Sequence, residues 1–117
     1  MSDRTLSDLT ALVVRHRDER EWGQFHTPKE LAISLCVESA ELLGLMQWKS
    51  GVQLQETVKT KRPQIADELA DVLHSVLLLA EEVGISLGDA LVEKLEKDSV
   101  KYPVHKARGK NLKYDEL

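Results

Sequence analysis

Two pairs of carboxylates, Glu38-Ser-Ala-Glu41 and Glu68-Leu-Ala-Asp71, interrupt the two most apolar helical patterns in the sequence. In each pair the spacing is three residues, which on a helix puts both side chains on one face, a turn apart. Around the first pair the apolar stripe runs Leu31, Leu35, Leu42 and Leu45. At about 100° per residue Glu38 falls in its middle and Glu41 at its edge. Around the second pair Ile65, Leu69, Val72, Val76 and Val83 form the stripe, with Glu68 on one flank and Asp71 further round on the same side. Two such helices packed side by side bring four carboxylates to one spot. Carboxylates gathered in an apolar setting cannot all remain ionised, because desolvation and mutual repulsion would protonate them or open the fold. A cation between them removes the conflict. Four oxygen donors suit a hard divalent ion, Mg2+ first and Mn2+ as its substitute, ahead of zinc or copper. The plainer reading is two solvated helix faces, and one E-x-x-E would support no more. The second pair and the inward position of Glu38 favour the metal.

The rest of the chain is consistent with such a core. Its 117 residues make one domain, and 42% apolar with 31% charged residues is the balance of a helical globular protein. The four site carboxylates account for the whole net charge of −4, which leaves no basic field for a nucleic acid polymer. The single cysteine, Cys36, excludes an internal disulfide, fits a reducing cytoplasm and reads as a small core residue. The N-terminus lacks an apolar signal core, and no stretch reaches the length of a membrane span.

Thr5, with Asp8 three residues on, caps a first helix whose face is Leu6, Leu9, Leu12 and Val13, and residues 15–21 extend it as a charged surface. Residues 22–26, Trp-Gly-Gln-Phe-His, read as a loop. Thr27-Pro28-Lys29-Glu30 is a helix start with a capping box, opening the helix of Glu38 and Glu41, which runs to about Gln47. Residues 52–62 are polar, a loop or a short helix. Pro63 starts the helix of Glu68 and Asp71, which ends near Gly84 and is apolar all round over 76–80, as in a central helix or one buried by another subunit. Ser86 and Asp89 cap a further helix to about Lys101, stopped by Tyr102-Pro103, with Leu87, Leu91, Lys94, Asp98 and Lys101 on one face. A basic tail follows over 104–117. The fold class is all-α, a four-helix antiparallel bundle.

With E-x-x-E and E-x-x-D on successive helices, the chain resembles the MazG-like all-α nucleoside triphosphate pyrophosphohydrolases. Glu21-Trp-Gly-Gln-Phe-His26, Gln47-Trp-Lys49, Lys101-Tyr-Pro-Val-His105 and Lys113-Tyr-Asp-Glu-Leu117 are similar to segments of the dCTP pyrophosphatase branch, so the likeness spans nearly the whole chain. The resemblance implies hydrolysis between the α and β phosphates, giving a monophosphate and pyrophosphate, in nucleotide-pool control or sanitation. It implies Glu38, Glu41, Glu68 and Asp71 as the magnesium ligands, with Glu38 and Glu41 catalytic. Glu41, at the stripe's edge, is the choice for orienting the attacking water, although sequence does not separate ligand from base. Trp22 and Trp48 are core aromatics on their own pattern; the resemblance makes them stacking partners for the base. His26 resembles a histidine near the base pocket, against the plainer reading of an exposed loop residue. Lys94, Lys101, Tyr102, Lys110 and Lys113 are implied phosphate contacts, or else solvated surface. Asp98 departs from the family's common Asn and only accepts hydrogen bonds. It can take a sugar hydroxyl or an exocyclic amine, or pair with Lys94 or Lys101, which points to dCTP or a cytosine analogue first and dATP second. The family also implies a homodimer or a dimer of dimers.

Rival classes remain open at this level. Asp71-Val-Leu-His74 offers a carboxylate and a histidine at the spacing used by di-iron or di-manganese bundles, but only one helix carries it, and His74 reads as a packed residue on the far side of the stripe. A non-catalytic helical interaction module would tolerate Gln at Glu38 or Glu68. Within the pyrophosphohydrolases, dUTP-directed and histidine-biosynthesis enzymes are alternatives that the two Trp segments argue against.

Overall fold

The helices begin where the sequence supplies caps. In the computed structural model, which describes residues 3–117, Thr5 and Asp8 close a reciprocal capping box: the Asp8 N–H donates to Thr5 Oγ1 at 3.1 Å and the Thr5 N–H to Asp8 Oδ2 at 2.9 Å. This opens α1 (Leu6–Glu19). Residues 22–26, expected as a loop, are instead wound into a 3-10 turn over Trp22–Phe25, entered through Glu21 in the left-handed region at φ 54°. Thr27 then caps α2 (Pro28–Met46), accepting from the Glu30 N–H at 3.2 Å. The expected box is only half made, since the Glu30 carboxylate lies 3.6 Å from the Lys29 ammonium.

The polar stretch after Trp48, read as a loop or a short helix, takes the second form as α3 (Gly51–Thr60). Its shielded residues, Leu54 and Thr57, share a face, and the Thr57 hydroxyl donates to the Gln53 carbonyl at 2.9 Å. One leucine on such a face is a weak signal, which is why the pattern does not announce the helix. Then α4 (Arg62–Val83) carries Pro63 in its first turn and stops at Gly84, whose φ of 71° lets its N–H reach back to the Ala80 and Glu81 carbonyls.

Two compact units result, the first ending at Gly84 and the second running Ile85–Leu117. In the first, α2 and α4 pack on one another, α1 lies against α4, and α3 touches both α2 and α4. Leu31, Leu77, Leu78 and Ala80 are its buried apolar side chains. Two expectations are corrected. Leu69 and Val83 are exposed while Glu68 and Ser75 turn inward, so the stripe of α4 that meets its own chain is rotated from the expected one. Cys36 is exposed rather than a core residue, on the face of α2 that also carries Ile33 and Val37.

The second unit contains α5 (Leu87–Lys101), the one-turn α6 (Val104–Ala107) and a 3-10 turn over Tyr114–Glu116. Its tail is tied down internally: the Lys101 ammonium sits 4.9 Å over the Tyr114 ring, and Tyr102 meets Tyr114 edge-on at 6.1 Å. The four expected helices are α1, α2, α4 and α5, with α3 and α6 in addition. No strand occurs among the described residues, and no single helix there is long and apolar enough to cross a membrane.

Candidate active site

Where α2 and α4 pack, their i, i+3 pairs meet. Oxygen atoms of Glu38, Glu41, Glu68 and Asp71 all lie within 4.8 Å of one another, Glu38 and Glu68 half-buried, Glu41 and Asp71 exposed. Buried Oε2 atoms of both Glu38 and Glu68 lack any hydrogen-bond partner. An ionised oxygen so placed is costly unless something positive meets it. In the metal-free chain a proton partly serves. Burial, a hydrogen bond with Glu41 and the charges of Glu41, Asp71 and Glu68 push the Glu38 carboxyl up to about 7. Burial and the Glu41 charge raise Glu68 as well. Four oxygen donors, two of them orphaned and turned inward, fit a hard divalent cation.

Beside this cluster opens a pocket of about 260 Å³. Glu38 and Asp71 form its acidic edge, Leu31 and Leu78 its apolar lining, and Trp22, His26, His74 and Ser75 its aromatic and polar wall. Trp22 is held from behind, with the Arg20 guanidinium 5.8 Å over its ring and the His16 ring edge-on at 5.7 Å. His26 presents a buried Nδ1 with no partner. His74 was expected on the far side of the stripe. Instead it lines the pocket, because the rotation of α4 that turns Glu68 inward carries His74 with it. Its ring meets His16 edge-on at 5.9 Å, and burial first, then the His16 charge, lowers its pKa despite Asp71. The one sequence signal for His74 was its spacing of three from Asp71.

Trp48 does not line this pocket. It is 90% exposed and held at φ 65°, a left-handed backbone that costs a bulky residue about 1–2 kcal/mol. Lys94, Asp98, Lys101, Tyr102, Lys110 and Lys113 belong to the second unit, where Lys94 is paired with Asp98 one turn on. That pairing is one of the options open to Asp98.

The model of the MazG-like family matches residues 33–117, which takes in both carboxylate pairs. The chain belongs to the MazG-like family. Among relatives of this family member, dCTP pyrophosphatase 1 of Mus musculus is 36% identical over 115 residues, covering 97% of this chain and 68% of the relative. The Homo sapiens dCTP pyrophosphatase 1 gives the same identity and coverage. A crystal structure of a pyrophosphatase from Archaeoglobus fulgidus superposes with a TM-score of 0.81 at 34% identity, covering 88% of this chain and 96% of that one. The MazG-like chain thus shares both sequence and fold with pyrophosphatases.

Proposed function

We propose that this nucleoside triphosphate pyrophosphohydrolase takes dCTP or a closely related deoxynucleotide, with a magnesium ion held by Glu38, Glu41, Glu68 and Asp71. The observation that carries the reading is the convergence of those four carboxylates, two of which, Glu38 and Asp71, line a pocket that also carries Trp22 and His26. Polyphosphate and base then have separate places. The four carboxylates would hold magnesium, which when bound would supply neutralisation of phosphate charge, the chief electrostatic need of phosphoryl transfer. The protein's own residues do the rest. Glu38 and Glu68 fix the anionic floor. Glu41, exposed at the margin, orients a water for attack at the α phosphorus, the pyrophosphate leaving with its bridging oxygen. Trp22 offers a ring face braced by Arg20 and His16, and His26 an unpaired ring nitrogen, for the base.

Self-association completes the reading. Only four apolar side chains are buried among the described residues, whereas Ile33, Val37, Leu43 and Leu73 stand exposed on α2 and α4, Leu43 by 65%. On α5 Leu91 is 60% exposed and Val92 and Leu95 nearly as much. Apolar faces of this extent are covered in a homodimer or dimer of dimers. In that assembly Trp48 and the Lys110 and Lys113 tail are free to meet a neighbouring copy's nucleotide.

The test is product analysis on a panel of ribo- and deoxyribonucleoside triphosphates, with magnesium or with EDTA. Equal amounts of monophosphate and pyrophosphate, formed only with the metal and fastest from dCTP, are expected. Release of inorganic phosphate and a diphosphate would overturn the bond assignment, and a ranking led by another base would overturn the substrate.

A further inference from the structure

His74 stands one helical turn beyond Asp71 on α4, a rise of about 4.5 Å along the axis. It therefore shares the pocket with the metal cluster without belonging to it. The His16 ring on α1 meets both His74, at 5.9 Å, and Trp22, at 5.7 Å, so it links the two rings that line the pocket without lining it itself. His74 lines the pocket together with Trp22 and His26, the groups proposed for the base, and burial with its histidine neighbours disfavours the charged form of its ring despite Asp71. A neutral imidazole carries one donor and one acceptor and has no charge to offer a phosphate. Its natural partner is the uncharged part of a nucleotide.

We propose that His74 hydrogen-bonds the nucleoside half of the substrate and helps set which nucleotide is accepted, with His16 as the positioning residue that holds its ring against the wall. The inference rests on the pyrophosphohydrolase reading above and adds a specificity determinant to it. His16 acts only through His74 and Trp22. An edge-on aromatic contact fixes ring orientation, which decides whether the imidazole's donor or its acceptor faces the pocket.

The experiment combines kinetics on the nucleotide panel with calorimetric binding of nucleoside monophosphates, of pyrophosphate and of manganese, for the wild type, His74→Ala, His74→Asn, His16→Ala and His16→Phe. His74→Ala is expected to weaken monophosphate binding roughly three- to tenfold, the value of one neutral hydrogen bond. It should change the base ranking, or the deoxyribose-to-ribose preference, by a similar factor. A base shift places the contact on the base, and a sugar shift on the ribose. Pyrophosphate and manganese affinity stay unchanged. His74→Asn, which keeps a donor and an acceptor, recovers part of the loss. His16→Ala moves the same quantities less, and His16→Phe, which keeps the ring contact, restores them. Unchanged discrimination and monophosphate affinity in both His74 variants would overturn the inference, as would parallel losses of pyrophosphate and manganese binding. A wild type inert on every triphosphate defeats the underlying reading instead, and is distinguished by the wild-type arm alone.

Discussion

At the scale of single residues, the site is a conflict between charge and burial that a cation resolves. Glu38 releases its proton near 7 in the folded metal-free chain and near its ordinary 4.5 once unfolded. Between those values the folded state holds more protons, so this group stabilises the fold in acid and its contribution falls as pH rises through 4.5 to 7. His74, with its lowered pKa, works the other way below its ordinary 6.5, so the difference between wild type and Glu38→Gln isolates the carboxylate. In EDTA, thermal melts should show Glu38→Gln above the wild type by a few degrees at pH 8, the gap closing by pH 5. A gap that widens in acid would contradict this. With saturating magnesium at pH 8 the order should reverse, because the wild type alone keeps all four ligands, and Glu38→Gln should lose roughly 10²-fold or more in kcat. The carboxylates were legible because a charge in an apolar stripe has few explanations. His74 was not: over 76–80 α4 is apolar on every side, so periodicity could not tell which face meets its own chain.

At the scale of elements, the site is a consequence of where α2 and α4 begin and how they rotate. The Thr27 cap and Pro28 fix the start of α2, and from that start Glu38 arrives on the face that meets α4. Thr27→Ala should cost about 1 kcal/mol in urea unfolding. Because the cap lies about three turns from Glu38, manganese affinity should be unaffected in the folded variant, and a loss of affinity would show that the cap positions the site directly. Helix starts were readable wherever a side chain does the capping or proline opens the first turn, at Thr5, Thr27 and Pro63. The start of α3 was not. Ser50 makes no side-chain cap bond, as Ser86 before α5 makes none, but here the helix also shields a single leucine, so its order comes from packing on α2 and α4 rather than from its own pattern.

At the scale of the whole molecule, exposed apolar surface is the dominant fact. An all-α class and a buried centre on α4 follow from the sequence, yet the number of copies that share a core does not, because an apolar face looks the same whichever chain covers it. The self-association reading predicts that the wild type sediments as two or more copies at micromolar concentration, and that Ile33→Glu, on an exposed face of α2, shifts it toward the monomer. An unchanged mass would remove that face from the interface. The central claim, that Glu38, Glu41, Glu68 and Asp71 are one divalent-cation centre serving nucleotide hydrolysis, is tested most directly by manganese binding followed by electron paramagnetic resonance at pH 8. Wild type should remove the free-ion signal with saturable affinity, magnesium should compete, and Glu38→Gln and Glu68→Gln, each still folded, should weaken binding strongly. Equal manganese affinity in the wild type and both variants would contradict the account.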